Sequence, residues 1–345
     1  MNDTAPGGLV DRYDLVVFDL DGVIYLIDQP IPGAVDAVSR LRQRGRRIAY
    51  ATNNASRRSG EVADLLTGMG VPATPDEVLT SAAAAAEVLA DRLPAGAAVL
   101  VVGADALRAE VRAAGLRPVA RADDEPAAVV QGYGPQVGWA DLAEASLAVR
   151  AGAYWVATNT DRTLPSARGP LPGNGALVAA LATALGRQPD LVVGKPEPAL
   201  FRTAGHRTGA IRPLVVGDRL DTDIAGAVGA GLDSLLVLTG VSGVADLLDA
   251  PATMRPTYVA FDLAGLTDPA QVVAVPDGKR AGDGAAPTGW TVTRDGAVIR
   301  LSGAGDPLAA LALLCDAAWS GGSVSTVTAD SDNAREALHR LQLAG

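Results

Sequence analysis

Leu15-Val16-Val17-Phe18-Asp19-Leu20-Asp21-Gly22-Val23 runs an apolar tetrad straight into two carboxylates and a glycine. A short apolar run bounded by turn residues is the pattern of a strand covered on both faces, as in parallel sheets. In open α/β sheets ligands collect beyond the carboxyl ends of the strands, which makes Asp19 a candidate nucleophile at that edge. Asp21 lies two residues further along extended chain and so projects to the same side.

Three more stretches repeat the layout: Arg47-Ile48-Ala49-Tyr50-Ala51 into Thr52-Asn53-Asn54, Leu191-Val192-Val193-Gly194 into Lys195, and Leu214-Val215-Val216-Gly217 into Asp218. If all four strands are parallel in one sheet, their reactive ends share one edge. Asp-x-Asp-Gly-Val, Thr-Asn-Asn, Gly-Lys-Pro-Glu-Pro and Gly-Asp-Arg-Leu-Asp-Thr-Asp-Ile, in this order, resemble the haloacid dehalogenase-like phosphatases. The last three look most like the branch that holds the NagD-type, phosphoglycolate, pyridoxal-phosphate and glycerol-3-phosphate phosphatases. The resemblance spans roughly residues 9–262 and leaves out the tail. It implies an α/β fold: a Rossmann-like doubly wound parallel sheet core with an inserted α/β cap domain of the C2 type.

The alternation of apolar runs and helical patterns divides the chain accordingly. Residues 9–82 and 190–262 form the two parts of the core, and 83–189 form the cap, an insertion of ordinary domain size. A linker is expected over 263–289, with Pro276–Pro287 rich in Gly, Asp and Ala. Residues 290–345 read as a β-β-α-β-α appendage, beginning with a hairpin about Asp295-Gly296 and too small to be stable undocked. Helix–strand alternation with Gly303-Ala304-Gly305 could be a piece of an acetyltransferase-like fold. The Arg/Gln-x-x-Gly-x-Gly loop expected for acetyl-CoA is missing, so the appendage is read as a packing or regulatory element.

The residues support phosphoryl transfer. Phosphate monoesters hydrolyse so slowly unaided that dividing the reaction through an aspartyl phosphate on Asp19 is a gain. Asp21 would protonate the leaving oxygen and then activate water. A divalent cation would offset repulsion between carboxylate and phosphate; magnesium, with its preference for oxygen ligands, suits Asp19, the Asp21 carbonyl and Asp218. Asp221 and Asp223 are expected to orient water or Lys195 from outside that shell. Thr52, the amides of Asn53 and Asn54, and Lys195 would hold phosphoryl oxygens. Asn159, Asp161 and Arg162, in a polar cap loop, are candidates to read the leaving group, although turn chemistry explains Asn and Asp there equally well.

A cap over the active edge excludes macromolecules and predicts a small phosphorylated metabolite. Branch resemblance gives glycerol 3-phosphate, 2-phosphoglycolate, pyridoxal phosphate and nitrophenyl phosphate, and the polar loop tips the choice to glycerol 3-phosphate. A phosphomutase on the same scaffold fits Asp21 equally. A nucleotide-dependent dehydrogenase lacks the three-glycine spacing in Val101–Ala106 and Gly173–Gly175. A non-enzymatic binding module is the third reading, suggested by the acidic balance and the extra tail.

Composition narrows the rest. Net charge is -10 and aromatic residues are 4% of 345, which argues against nucleic acid as a partner. Two histidines, His206 and His339, and the single Cys315 are poor stock for a zinc site or a Ser/His/Asp triad. The lone cysteine suits a reducing cytoplasm. Residues 1–8 carry neither the basic nor the apolar part of a secretory signal, and no run is long enough to span a membrane. The branch resemblance implies homodimers paired through the cap.

Overall fold

The computed structural model describes residues 7–27, 29–164, 166, 168–276 and 289–343. These fall into two compact units, one of Met1–Leu26, Pro30–Arg47 and Ala210–Gly345, the other of Ile27–Gln29 and Ile48–Gly209. No described helix is long and apolar enough to cross a membrane.

In the first unit the strands run in the order Val273–Ala274, Tyr258–Ala260, Asp233–Val237, Pro213–Gly217, Leu15–Phe18. All neighbours are parallel except the antiparallel edge strand Val273–Ala274. Leu15, Val16, Val17 and Phe18 are fully buried, as are Leu214, Val215 and Val216. Burial on both faces is why these strands read as continuous apolar runs without alternation. The span 263–276, read from sequence as linker, instead carries short 3-10 turns at Leu263–Leu266 and Pro269–Gln271 and the edge strand itself. Asp262 and Asp268 start those turns by accepting from the Ala264 and Ala270 N–H groups at 2.8 and 2.9 Å. Residues 277–288, most of the expected linker, lie outside the described residues.

The appendage is β-β-α-β-α: strands Trp290–Asp295, Val298–Gly303 and Thr326–Ala329 form one sheet with helices Pro307–Trp319 and Asp332–Arg340. Asp306 caps the first helix by accepting from the Ala309 N–H at 3.3 Å, and Pro307 occupies its first turn, where a missing N–H costs nothing. Trp290, Ile299 and Leu301 on the sheet pack with Leu308, Leu311, Leu314 and Cys315 of that helix. Their cluster is continuous with Leu220, Ile224, Leu236, Val244, Leu247 and Leu248 of the parallel sheet's surroundings. A fully buried Leu contributes roughly 1.5–3 kcal/mol, so the appendage is held as part of one core and not as a tethered module.

The second unit contains the parallel pair Arg47–Thr52 and Val78–Thr80 and a five-stranded parallel sheet. Its order is Leu191–Val192, Tyr154–Ala157, Ala128–Gln131, Ala98–Val102, Arg117–Val119. One expectation fails here, because the strand leading to Lys195 pairs with Tyr154–Ala157 and not with Leu15–Phe18 or Pro213–Gly217. Its apolar run is short and half-buried. Asp190 fixes the pairing, accepting from the Trp155 N–H at 2.7 Å through its carboxylate and donating its own N–H to the Trp155 carbonyl at 2.8 Å.

Candidate active site

The first unit gathers an acidic cluster. Leu15–Phe18 and Pro213–Gly217 are in register, with Phe18 opposite Val216, so Asp19 and Asp218 leave the sheet at the same end. The Asp19 N–H donates to the Val216 carbonyl at 2.8 Å. Asp223 joins them from the turn Leu220–Ile224, and ligand oxygens of Asp19, Asp218 and Asp223 all lie within 4.8 Å of one another. The three are 8, 0 and 1% exposed. Two carboxylates at that separation repel by roughly 3 kcal/mol at an effective dielectric of 20, so the arrangement calls for positive charge. An all-oxygen acidic donor set suits a hard divalent cation such as magnesium or calcium and not zinc.

Asp221 and Asp223, paired in the sequence reading, part company. Residues two apart on a helical turn do not share a face. Asp223 turns inward, where it accepts from the Arg219 N–H at 3.2 Å. Asp221 turns out and takes two hydrogen bonds from the Arg219 guanidinium at 3.0 and 2.8 Å. Asp223 thus belongs with the candidate ligands and Asp221 with the surface. Asp21 stands outside the three-carboxylate cluster, half-buried at a bridge to Tyr25 where the chain turns.

Sequence reasoning missed Thr239-Gly240-Val241-Ser242. This loop follows Asp233–Val237 and grips Asp218: the Val241 N–H donates to Asp218 Oδ2 at 2.7 Å and the Ser242 N–H to its carbonyl at 3.0 Å. Ser242 Oγ also accepts from the Leu220 N–H at 3.0 Å, and Thr239 Oγ1 donates to the Gly22 carbonyl at 2.6 Å. Two glycines make room for the carboxylate. A Cβ on Gly22 would lie 2.5 Å from Asp218 Oδ2, and one on Gly240 2.5 Å from Asp218 Cγ. Gly22 also has φ +85°, which few other residues adopt. The available signal was weak: a glycine three residues past a buried strand end.

The second unit holds the remaining candidates. Thr52 is buried and its Oγ1 accepts from the Asn54 N–H at 3.1 Å. Asn53 brackets the Lys195 main chain, Oδ1 accepting from the Lys195 N–H at 2.8 Å and Nδ2 donating to the Lys195 carbonyl at 3.0 Å. The same Nδ2 donates to Asp161 Oδ2 at 3.0 Å. Asn54 Oδ1 accepts from the Ser56 N–H and hydroxyl at 2.8 and 2.7 Å. The Asn53 side-chain amide, expected on phosphoryl oxygens, is therefore engaged within the protein. Asn159 is likewise internal: it is 4% exposed, its Nδ2 donates to the Asn53 carbonyl at 2.7 Å, and its Oδ1 accepts from the Asp161 N–H at 3.2 Å. It positions Asn53 and has no amide left for a leaving group, whereas Arg162 is exposed. Gly194 fits because a Cβ there would lie 2.6 Å from Asn53 Oδ1.

Lys195 is 3% exposed and is the only lysine among the described residues, in a chain whose other cationic side chains there are arginines. Lysine presents a compact point charge where arginine presents a planar fork, and this chain carries it at a buried position.

Residues 16–117 match the haloacid dehalogenase-like hydrolase family model and 192–266 a second, HAD-hydrolase-like one. Residues 288–343 match a GCN5-related N-acetyltransferase-like domain. The chain is 46% identical to D-glycerol 3-phosphate phosphatase of Mycobacterium tuberculosis over 97% of its own length and 96% of that protein's. It is 37% identical to acid sugar phosphatase of Staphylococcus aureus over 73% of its length and 96% of the relative's. A crystal structure of glycerol phosphate phosphatase from Mycobacterium tuberculosis in complex with magnesium superposes with a TM-score of 0.89 at 45% identity, covering 98% of this chain and all of that one. With its carboxylates at the strand ends and this degree of likeness across almost its full length, the chain belongs to the haloacid dehalogenase-like hydrolases and is a phosphatase of their NagD-type branch.

Proposed function

We propose that this phosphatase hydrolyses glycerol 3-phosphate through an aspartyl phosphate on Asp19, with magnesium as its cofactor. The observation that carries the reading is the buried Asp19, Asp218 and Asp223 cluster beyond the parallel strands. Asp19 attacks phosphorus, forming an acyl phosphate as the bond to the glycerol oxygen breaks, and Asp21 gives that oxygen its proton. Asp21 then takes a proton from water, which attacks phosphorus, frees inorganic phosphate and restores the Asp19 carboxylate. Thr52 and Lys195 have the hydroxyl and the ammonium that hold phosphoryl oxygens, and Asn53 positions Lys195. Asp19, Asp218 and the Asp21 carbonyl would hold the magnesium, with Asp223 beside them, and the ion supplies charge that offsets repulsion between carboxylate and phosphate.

The substrate rests on the 46% identity to a D-glycerol 3-phosphate phosphatase; with Asn159 internal, contacts to the hydroxyls fall to Asp161 and Arg162. The domain division read from the sequence, a cytoplasmic setting and pairing through the inserted domain belong to the same proposal. Trp139 and Leu147, 84 and 57% exposed and eight residues apart on one helix, support the pairing.

The test is phosphate release from a panel of glycerol 3-phosphate, 2-phosphoglycolate, pyridoxal phosphate, nitrophenyl phosphate and sugar phosphates, with magnesium and with chelator. Glycerol 3-phosphate should lead the panel, chelator should abolish turnover, and Asp19→Asn should lower kcat by roughly 10⁴-fold or more. Equal rates across the panel would exclude the polyol preference. Phosphate passed to a sugar without release would favour a phosphomutase.

A further inference from the structure

Asp218 is held by a loop, and the loop is held by the appendage. The helix Val244–Leu248 begins directly after Thr239–Ser242, with Gly243 as its N-cap, and the Gly243 N–H donates to Asp246 Oδ2 at 2.8 Å. Being so short, this helix contributes few hydrogen bonds of its own, and the Leu247 carbonyl near its end accepts from the Ala250 N–H at 3.1 Å with a lone pair still open to a second donor. Trp319, at the end of the appendage helix, donates its Nε1–H to the Leu247 carbonyl at 3.1 Å. Arg255 donates Nε–H to the Ala250 carbonyl at 3.1 Å, just past the short helix, and lays its guanidinium over the Trp319 ring at 4.7 Å from the centroid. Val244, Leu247 and Leu248 share one apolar cluster with Leu308, Leu311 and Leu314 of the appendage and with Leu220 and Ile224 of the turn that carries Asp223.

We propose that the C-terminal appendage is a positioning element for the acidic cluster, with Trp319 as its key residue. Trp319 and Arg255 fix the C-terminal end of Val244–Leu248, that helix fixes Val241 and Ser242, and these fix the carboxylate and main chain of Asp218. This role rests on the functional reading above, in which Asp218 is a magnesium ligand. Groups that orient a ligand from outside typically alter metal affinity about 10- to 100-fold, and Trp319 acts one contact further out.

The experiment measures magnesium binding to the full chain at equilibrium, by calorimetry without substrate, for the unmodified protein, Trp319→Phe and Trp319→Ala. Trp319→Phe keeps an aromatic face under Arg255 but loses the N–H donor together with part of the ring's packing on the core. Its Kd for magnesium should rise roughly 3- to 10-fold, near the lower end of such effects, and Trp319→Ala should rise at least as much. At saturating magnesium the KM for glycerol 3-phosphate should stay within about twofold, because the brace acts on the ion's ligand and not on the ester. A purely structural role would lower the melting temperature and leave the Kd of the folded protein alone. Unchanged Kd in both variants, beside normal binding by the unmodified protein, would overturn the proposal by itself. No magnesium binding by the unmodified protein would overturn the functional reading, and this inference with it.

Discussion

Gly240→Ala is the sharpest test of how Asp218 is held. The added methyl carbon would lie 2.5 Å from Asp218 Cγ and 2.7 Å from its Cβ, against the 3.5–4.0 Å or so at which carbons rest. Relief requires a shift of roughly 1 Å. Asp218 is fully buried and its Oδ2 is tied to the Val241 N–H, so the carboxylate cannot swing aside without breaking that bond or opening the loop. A displacement of about 1 Å at a reacting centre can cost 10²-fold, or about 2.7 kcal/mol of transition-state stabilisation. Steady-state kcat/KM for phosphate release should therefore fall on the order of 100-fold, and half-saturation should shift to higher magnesium. Gly60→Ala is the control: nothing lies within 4 Å of a Cβ there, in a helix, so activity should hold and stability rise by about 0.5–1 kcal/mol. A Gly240→Ala enzyme within twofold of the unmodified protein, at limiting as well as saturating magnesium, would refute the idea that this loop sets the carboxylate's position.

Further outcomes follow from the second unit and the appendage. Asn53→Ala removes the hydrogen bonds that Asn53 makes to the buried N–H and carbonyl of Lys195; at about 1–3 kcal/mol for each, chemical denaturation should show a loss of up to roughly 2–6 kcal/mol, and turnover should fall with it. The Arg187 guanidinium, bonded to Asp190 at 2.8 and 3.1 Å, holds that carboxyl below its usual range, and the Trp155 N–H assists. A depressed folded pKa stabilises above the unfolded value and stops doing so as pH falls through the folded one. Asp190→Asn should thus cost up to about 1 kcal/mol at neutral pH, and urea midpoints of variant and parent should converge in acid. Burial pushes the Cys315 thiol far above its ordinary pKa, so Ellman's reagent should leave the native protein unlabelled and react only on unfolding. Rapid labelling of native protein would mean that the appendage is not docked.

What could be read from the sequence was local. Asp19 and Asp218 follow buried runs whose pattern alone implies parallel strands, and the sheet edge then follows from how such sheets bind ligands. The appendage's β-β-α-β-α order was legible from Asp295-Gly296, Asp306-Pro307 and Ser331 for the same reason. Pairing partners were not. Leu191-Val192 looks like the other three runs, yet Asp190 commits it to Trp155, a residue 35 positions away. Asn159 has the character of a solvent-facing turn residue, and its bond from the Asp161 N–H is a local turn contact, but the long-range bond to the Asn53 carbonyl draws it inside. Thr239–Ser242 carries no charge and reads as an ordinary turn, so its grip on Asp218 emerges only when two strands lie side by side. The docking of Trp319 on Leu247 joins residues 72 apart by one carbonyl that no pattern marks.

The bracket by which Asn53 holds Lys195 touches only main-chain atoms. Whatever side chain stands at 195, the peptide there follows the same path, so the ammonium can be exchanged for another group without redrawing the loop. Shape and charge are thereby encoded by different residues, one an amide at 53 and the other an amine at 195. A Lys195→Met protein should crystallise in the same trace while lacking the cation, which gives a clean background for capturing a bound ester intact.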